Sequence, residues 1–97
     1  MLNELKSYLN ITWSDKDADI QKIIDRGTAF LNRYAGATIN FDTDLEARQL
    51  LLDYGRYVYN HSFELFRVNF RSELLELAIR GGVKARALAE ADSETTT

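Results

Sequence analysis

His61 is the only imidazole in a chain without cysteine, so a transition-metal site would have to be completed by carboxylates. Glu64 follows three residues later. One histidine and one glutamate fall short of a ligand set, and general acid-base work would need a nucleophile or second group that the surrounding residues do not supply. A histidine near a helix C-terminus, where the dipole favours its charged form, explains the residue without chemistry. Carboxylate pairs such as Asp15 with Asp19 and Glu73 with Glu76 share helix faces; solvation and placement near helix starts account for them. Phosphate-cradling and nucleophile-elbow glycine motifs do not occur in the sequence, and Gly81-Gly82 reads as a helix stop. The expectation is a protein that is not an enzyme, with no catalytic residue, no metal and no cofactor.

Charge and aromaticity point instead to contact surfaces. Arg56, Arg67, Arg71, Arg80, Lys84 and Arg86 lie in the second half of the chain, before Glu90, Asp92 and Glu94. That asymmetry suits a surface meeting an acidic neighbour or passing near phosphate, and equally suits arginines on solvated helix faces. A net charge of -3 argues against a dedicated nucleic-acid binder, whose phosphate contacts need clustered Lys and Arg. Tyr54, Tyr57, Tyr59, Phe63, Phe66 and Phe70 crowd a short span. A core accounts for most of them, but Tyr57 and Tyr59 fall on different sides of their helix, so one should be partly exposed. Exposed aromatics beside arginines are favoured at subunit interfaces. Trp13, at a turn, is a packing anchor or a contact with a neighbouring chain.

The elements that must position these residues are helices. With 97 residues, 45% hydrophobic and 28% charged, the chain can fill one small core. It has no proline, which fits a nearly all-helical fold because proline costs about 3 kcal/mol inside a helix. No apolar run approaches the roughly 20 residues that span a bilayer, so no membrane association is expected. Glu4, Lys6 and Asn10 interrupt the opening leucines where a secretory signal would be unbroken, so an intracellular protein is expected. Leu2, Leu5 and Leu9 predict a helix over residues 2 to 10. Ser14 and Asp17 predict a capping-box-like start for a second, in which Ile20, Ile23, Ile24, Gly27, Phe30, Leu31 and Tyr34 recur at three and four until Gly36. Residues 37 to 42 read as an extended loop whose Ile39 and Phe41 plug the bundle. Thr43 and Glu46 predict a capping box for a third helix, running to about Asn60 with Ala47, Leu51, Tyr54, Gly55 and Val58 inside. A Phe-rich crossover leads to a last helix capped by Asn69 or Ser72, carrying Leu74, Leu75, Leu77, Ala78 and Ile79 and ending at Gly81-Gly82. The fold class is therefore all-α, a small four-helix bundle over residues 1 to 80. Residues 81 to 97 form a flexible C-terminal arm, partly disordered unless docked.

The opening Leu2-Asn-Glu-Leu5-Lys-Ser-Tyr8-Leu9-Asn-Ile11, then Asp17-Ala-Asp19-Ile20-Gln-Lys-Ile23-Ile24 leading to Phe30-Leu31-Asn-Arg-Tyr34, resembles the N-terminal half of the head-tail connector (adaptor) proteins of tailed bacteriophages. The resemblance continues through the Ala47 to Tyr59 helix, the Phe-rich crossover and the Ser72 to Ile79 helix, covering roughly residues 1 to 80. Where members often carry Tyr-x-x-Arg, this chain has Tyr57-Val-Tyr59-Asn60-His61. The resemblance implies a dodecameric ring of identical subunits beneath the portal protein, extending the DNA channel and offering a platform to a stopper or tail-completion protein. Double-stranded DNA would pass through without sequence-specific binding. It implies assembly in the host bacterial cytoplasm and residence at the head-tail interface of the virion. Subunit or portal contacts are expected at Trp13, Ile39, Phe41, Tyr57, Tyr59, Phe63, Phe66, Arg67, Phe70, Val83, Lys84, Arg86 and Leu88. The alternative is a small helical regulatory or nucleic-acid-associated protein using the arginine-bearing second half.

Overall fold

The structure is a computed structural model that describes the backbone of residues 1–95, with side chains described for residues 1–83 and for Arg86. Among the described residues it is all-helical, with five helices where the pattern of apolar spacings predicted four: α1 Leu2–Tyr8, α2 Asp17–Ala35, α3 Leu45–Tyr59, α4 Phe63–Asn69 and α5 Arg71–Thr95. The extra element is α4. The Phe-rich crossover is itself helical, because Phe63, Phe66 and Phe70 recur at the spacing that lays side chains along one stripe. α2 packs along α3 and α5, α1 bridges α2 and α3, and α4 joins α3 to α5.

Three helices end by the same device. Asn10 (φ 59°), Gly36 (φ 68°) and His61 (φ 57°) each take a left-handed backbone conformation. At each, the residue's own amide donates to the carbonyl three residues back, and the next amide donates to the carbonyl five residues back. The pairs are Asn10 to Ser7 and Ile11 to Lys6, Gly36 to Arg33 and Ala37 to Asn32, and His61 to Val58 and Ser62 to Tyr57. This is the Schellman arrangement, which satisfies carbonyls that a helix end leaves free. It stops α1 at Tyr8, two residues before the predicted end.

Helix starts differ from expectation too. α2 begins after Lys16 with no side-chain cap; Asp17, expected to close a capping box with Ser14, instead pairs with Lys6 Nζ at 2.7 Å. α3 is capped by Asp44, whose Oδ1 accepts from the Ala47 amide at 3.1 Å. Thr43 sits one residue too early for that role, and its hydroxyl donates to the Asn40 carbonyl.

The core is built from Ile20, Ile24 and Leu31 of α2, the Ala47 to Tyr54 face of α3, Leu5, Ile11, Phe66, Leu74 and Leu77, all buried. Phe30 stacks on Tyr54 at 5.6 Å between ring centroids, and Phe66 meets Tyr54 edge-on at 5.7 Å, the offset geometries aromatic rings prefer. Ile39 and Phe41 pack on this core from the α2–α3 loop, as the loop reading predicted.

Gly81-Gly82 does not end the last helix: α5 continues through both to Thr95. Two glycines cost roughly 1 kcal/mol each relative to alanine in a helix, an amount that the flanking leucine- and alanine-rich turns can carry. Gly81 is buried, and a Cβ there would overlap the backbone of Ala35 at the end of α2. The glycine is a helix-crossing point.

Candidate assembly surface

α5 carries more apolar side chains than one helix face can hide. Leu74 and Leu77 point into the core at 2% exposure each, while Leu75 and Ile79 at 59% and Val83 at 65% lie on the opposite, outward side, recurring every fourth residue. Leu65 and Val68 of α4 are similarly open, at 55% and 69%. Exposed apolar side chains grouped on neighbouring helices in this way make a candidate contact surface. Arg67, Arg71 and Arg86 flank it, all exposed. Neither Arg67 nor Arg71 has an ion-pair partner among the described residues.

A quarter-turn or so around α5 lies a cleft of about 260 Å³ shared with α3, lined by Leu50 and Phe70 and by Glu46, Glu73, Glu76 and Arg80. Arg80 is held by Asp44 at 3.0 Å and Glu46 at 3.7 Å. Glu73 and Glu76 are exposed and have no such partner among the described residues. The cleft is apolar within and acidic at its edge.

Asp53, which with Gln49 also lines this cleft, is the one charged residue buried among the described residues. Its carboxylate accepts from the Tyr8 hydroxyl at 2.7 Å and from Gln49 Nε2 at 3.3 Å, and Arg56 Nη2 lies 3.5 Å away. The Arg56 guanidinium sits over the Tyr8 and Tyr57 rings, 5.4 and 5.0 Å from their centroids, within cation–π range. The hydrogen bond to Asp53 raises the Tyr8 pKa above its ordinary value; desolvation and the Asp53 charge add to this, while Arg56 and Gln49 oppose it. Every group here except Arg56 Nε, which is buried without a hydrogen-bond partner, is satisfied within the chain. The cluster pins α1 to α3.

The residues expected to make contacts are spread unevenly. Trp13 is 51% exposed and Val83 is on the outward stripe; Arg67 and Arg86 are exposed beside it. Ile39, Phe41, Tyr57, Tyr59, Phe63 and Phe70 lie partly buried against the core. Tyr57 and Tyr59 are each half-buried, so both rings are partly exposed where one was expected to be. Phe66 is fully buried, so its ring belongs to the core and has no surface to offer a neighbour. Lys84 and Leu88 lie outside the described side chains. Leu65, Val68, Leu75 and Ile79 were not among the expected contacts. The available signal was the surplus itself, since Leu74, Leu75, Leu77 and Ile79 cannot all share one stripe at 3.6 residues per turn.

His61 and Glu64 are both exposed, and no group of three or more His, Asp or Glu side chains that could hold a metal occurs among the described residues. No helix among them is long and apolar enough to cross a membrane. Comparison with protein-family models, with curated proteins and with solved structures finds no match to this chain.

Proposed function

We propose that this chain acts by assembly, as a head-tail connector (adaptor) subunit of the tailed-phage type that forms a ring beneath a portal, lengthens the DNA channel and gives the stopper or tail its platform. The observation that carries the reading is the outward face of α4 and α5, where Leu65, Val68, Leu75, Ile79 and Val83 are all more than half exposed. Burying such side chains gives about 25 cal/mol per Å², and nothing among the described residues covers them. The shape supports it as well: the molecule measures 56 × 26 × 18 Å, and a 25-residue α5 of about 37 Å presents Leu75, Ile79 and Val83 of this face over its first half. A net charge of -3 suits a subunit past which DNA must slide rather than stick.

Native mass spectrometry and electron microscopy of the purified chain, alone and with the portal protein of the same phage, test the proposal. Rings, free or seated on the portal, are the expected result. A chain that stays monomeric with the portal present, and binds it nowhere, overturns it. Tight DNA binding falling steeply with salt would favour a nucleic-acid protein instead.

A further inference from the structure

We infer that copies of this chain join head to tail through two different surfaces of the same helix, the outward apolar stripe of α5 on one copy seating in the acid-edged cleft between α3 and α5 of the next. The inference rests on the assembly reading and names the surfaces it uses.

Charge decides the pairing. The stripe of Leu75, Ile79 and Val83 is bordered by Arg71 and Arg86, with Arg67 near its α4 extension. Two stripes face to face would bring arginines against arginines, and like charges across an interface are penalised. The cleft offers the complement: the half-buried Phe70, with Leu50 beneath it in the core, for the apolar side chains, and Glu73 and Glu76 for the arginines, while the Arg80 of the cleft is already held by Asp44 and Glu46. Among the described residues, Arg67, Arg71, Glu73 and Glu76 have no ion-pair partner within one copy. Seating one copy's stripe in the next copy's cleft pairs both sets and removes the exposed leucine, isoleucine and valine from water in one step.

Geometry makes the contact heterologous. At about 100° per residue, stripe and cleft edge lie roughly a quarter-turn apart on α5. Each copy can therefore offer its stripe to one neighbour while its cleft receives another's. A contact between unlike patches repeats by rotation and closes a ring or continues as a filament, whereas a contact between like patches stops at a dimer.

The chain contains no cysteine, so introduced thiols report this contact without background. I79C places a thiol on the stripe and E73C one on the cleft edge, both at exposed positions, and circular dichroism checks that each variant folds. Full-length I79C and E73C chains are mixed at high concentration and treated with a short bismaleimide linker, and the products are weighed intact. The expected result is a covalent dimer containing one of each chain in the mixture, and loss of that product when either variant is treated alone. Efficient coupling of I79C to itself would show a like-to-like contact and overturn the inference. So would absence of the mixed dimer. Rings seen by microscopy without the mixed crosslink would sink the stripe-to-cleft contact while leaving the connector reading in place. A chain that neither rings nor binds a portal yet forms the mixed dimer would do the reverse.

Discussion

A Cβ placed on Gly81 of α5 would overlap the carbonyl of Ala35 at the end of α2, so the two helices meet there backbone against backbone. Gly82, one residue on, has open space around the same point. The two glycines should therefore respond oppositely to alanine. Gly82→Ala removes the flexibility cost of glycine from an exposed helix interior and should stabilise by roughly 0.5–1 kcal/mol. Gly81→Ala makes the same propensity gain but forces α5 off α2, and overpacking of that kind costs about 1–3 kcal/mol. Urea melts of the two variants check the sign of each. Equal stabilisation by both would mean that the helices do not meet at Gly81.

His61 ends α3 in the left-handed conformation at φ 57°, a shape that costs a residue with a Cβ roughly 1–2 kcal/mol and glycine almost nothing. The imidazole is exposed and its own backbone makes the Schellman bonds. His61→Gly should raise stability by about 1 kcal/mol, read as a shift of the urea midpoint at constant slope. Loss of stability would show that the ring, rather than the backbone, holds the turn.

These cases show what the sequence could and could not reveal. The repeat of about four turns from Ile20 to Tyr34 is a local property of the chain, and α2 spans it as predicted. Gly36 also ends that helix as its type suggests. Asn10 and His61 end theirs in the same way, but neither residue type marks the left-handed region as strongly as glycine does. The double glycine misled for the converse reason: its placement inside α5 depends on the approach of Ala35, 46 residues away in sequence, which no local pattern records. The candidate assembly surface was partly legible. Val83, Arg67 and Arg86 stand out by position, whereas Leu75 and Ile79 looked like core until the inward side of α5 was shown to be filled by Leu74 and Leu77.

Tyr8 and Asp53 are joined by a 2.7 Å hydrogen bond between α1 and α3. Removing the donor leaves a buried carboxylate short of a partner, so Tyr8→Phe should cost about 1–3 kcal/mol. The hydroxyl's pKa is raised in the folded chain, chiefly by that bond. Its contribution is therefore complete below the ordinary tyrosine value of 10.0 and is lost as pH rises through the higher folded value. The stability difference between the parent chain and Tyr8→Phe should shrink on titration from neutral pH into that alkaline range. A difference that stays constant would remove Asp53 as the cause.

Glu4 shows the opposite dependence. Arg48 donates to its carboxylate from Nε at 3.1 Å and from Nη2 at 2.8 Å, and this bond holds the Glu4 pKa below its ordinary 4.5. A lowered carboxylate stabilises above the ordinary value, and that stability is lost as pH falls through the lower folded one. Glu4 is exposed, so Glu4→Gln should cost only about 0.2–1 kcal/mol near neutral pH. That cost should fade in acid and in high salt. Arg48→Ala should cost more, because Arg48 Nη1 also donates to the Phe41 carbonyl at 3.2 Å and so ties the α2–α3 loop to α3.

Asp44 has two tasks at once: Oδ1 accepts from the Ala47 amide at the start of α3, and Oδ2 accepts from Arg80 Nη1 of α5 at 3.0 Å. Two substitutions separate them. Asn is as good a helix cap as Asp, so Asp44→Asn keeps the cap and gives up the ion pair, for a loss of about 1 kcal/mol or less at a partly exposed site. Asp44→Ala gives up both and should lose about 1 kcal/mol more. In the Arg80→Ala background the extra cost of Asp44→Asn should vanish while that of Asp44→Ala persists, a pattern that a double-mutant cycle by denaturant melts resolves. Full persistence of the Asp44→Asn cost without Arg80 would mean that α5 is not anchored through this pair, leaving the backbone contact at Gly81 as the anchor between the long helix and the body.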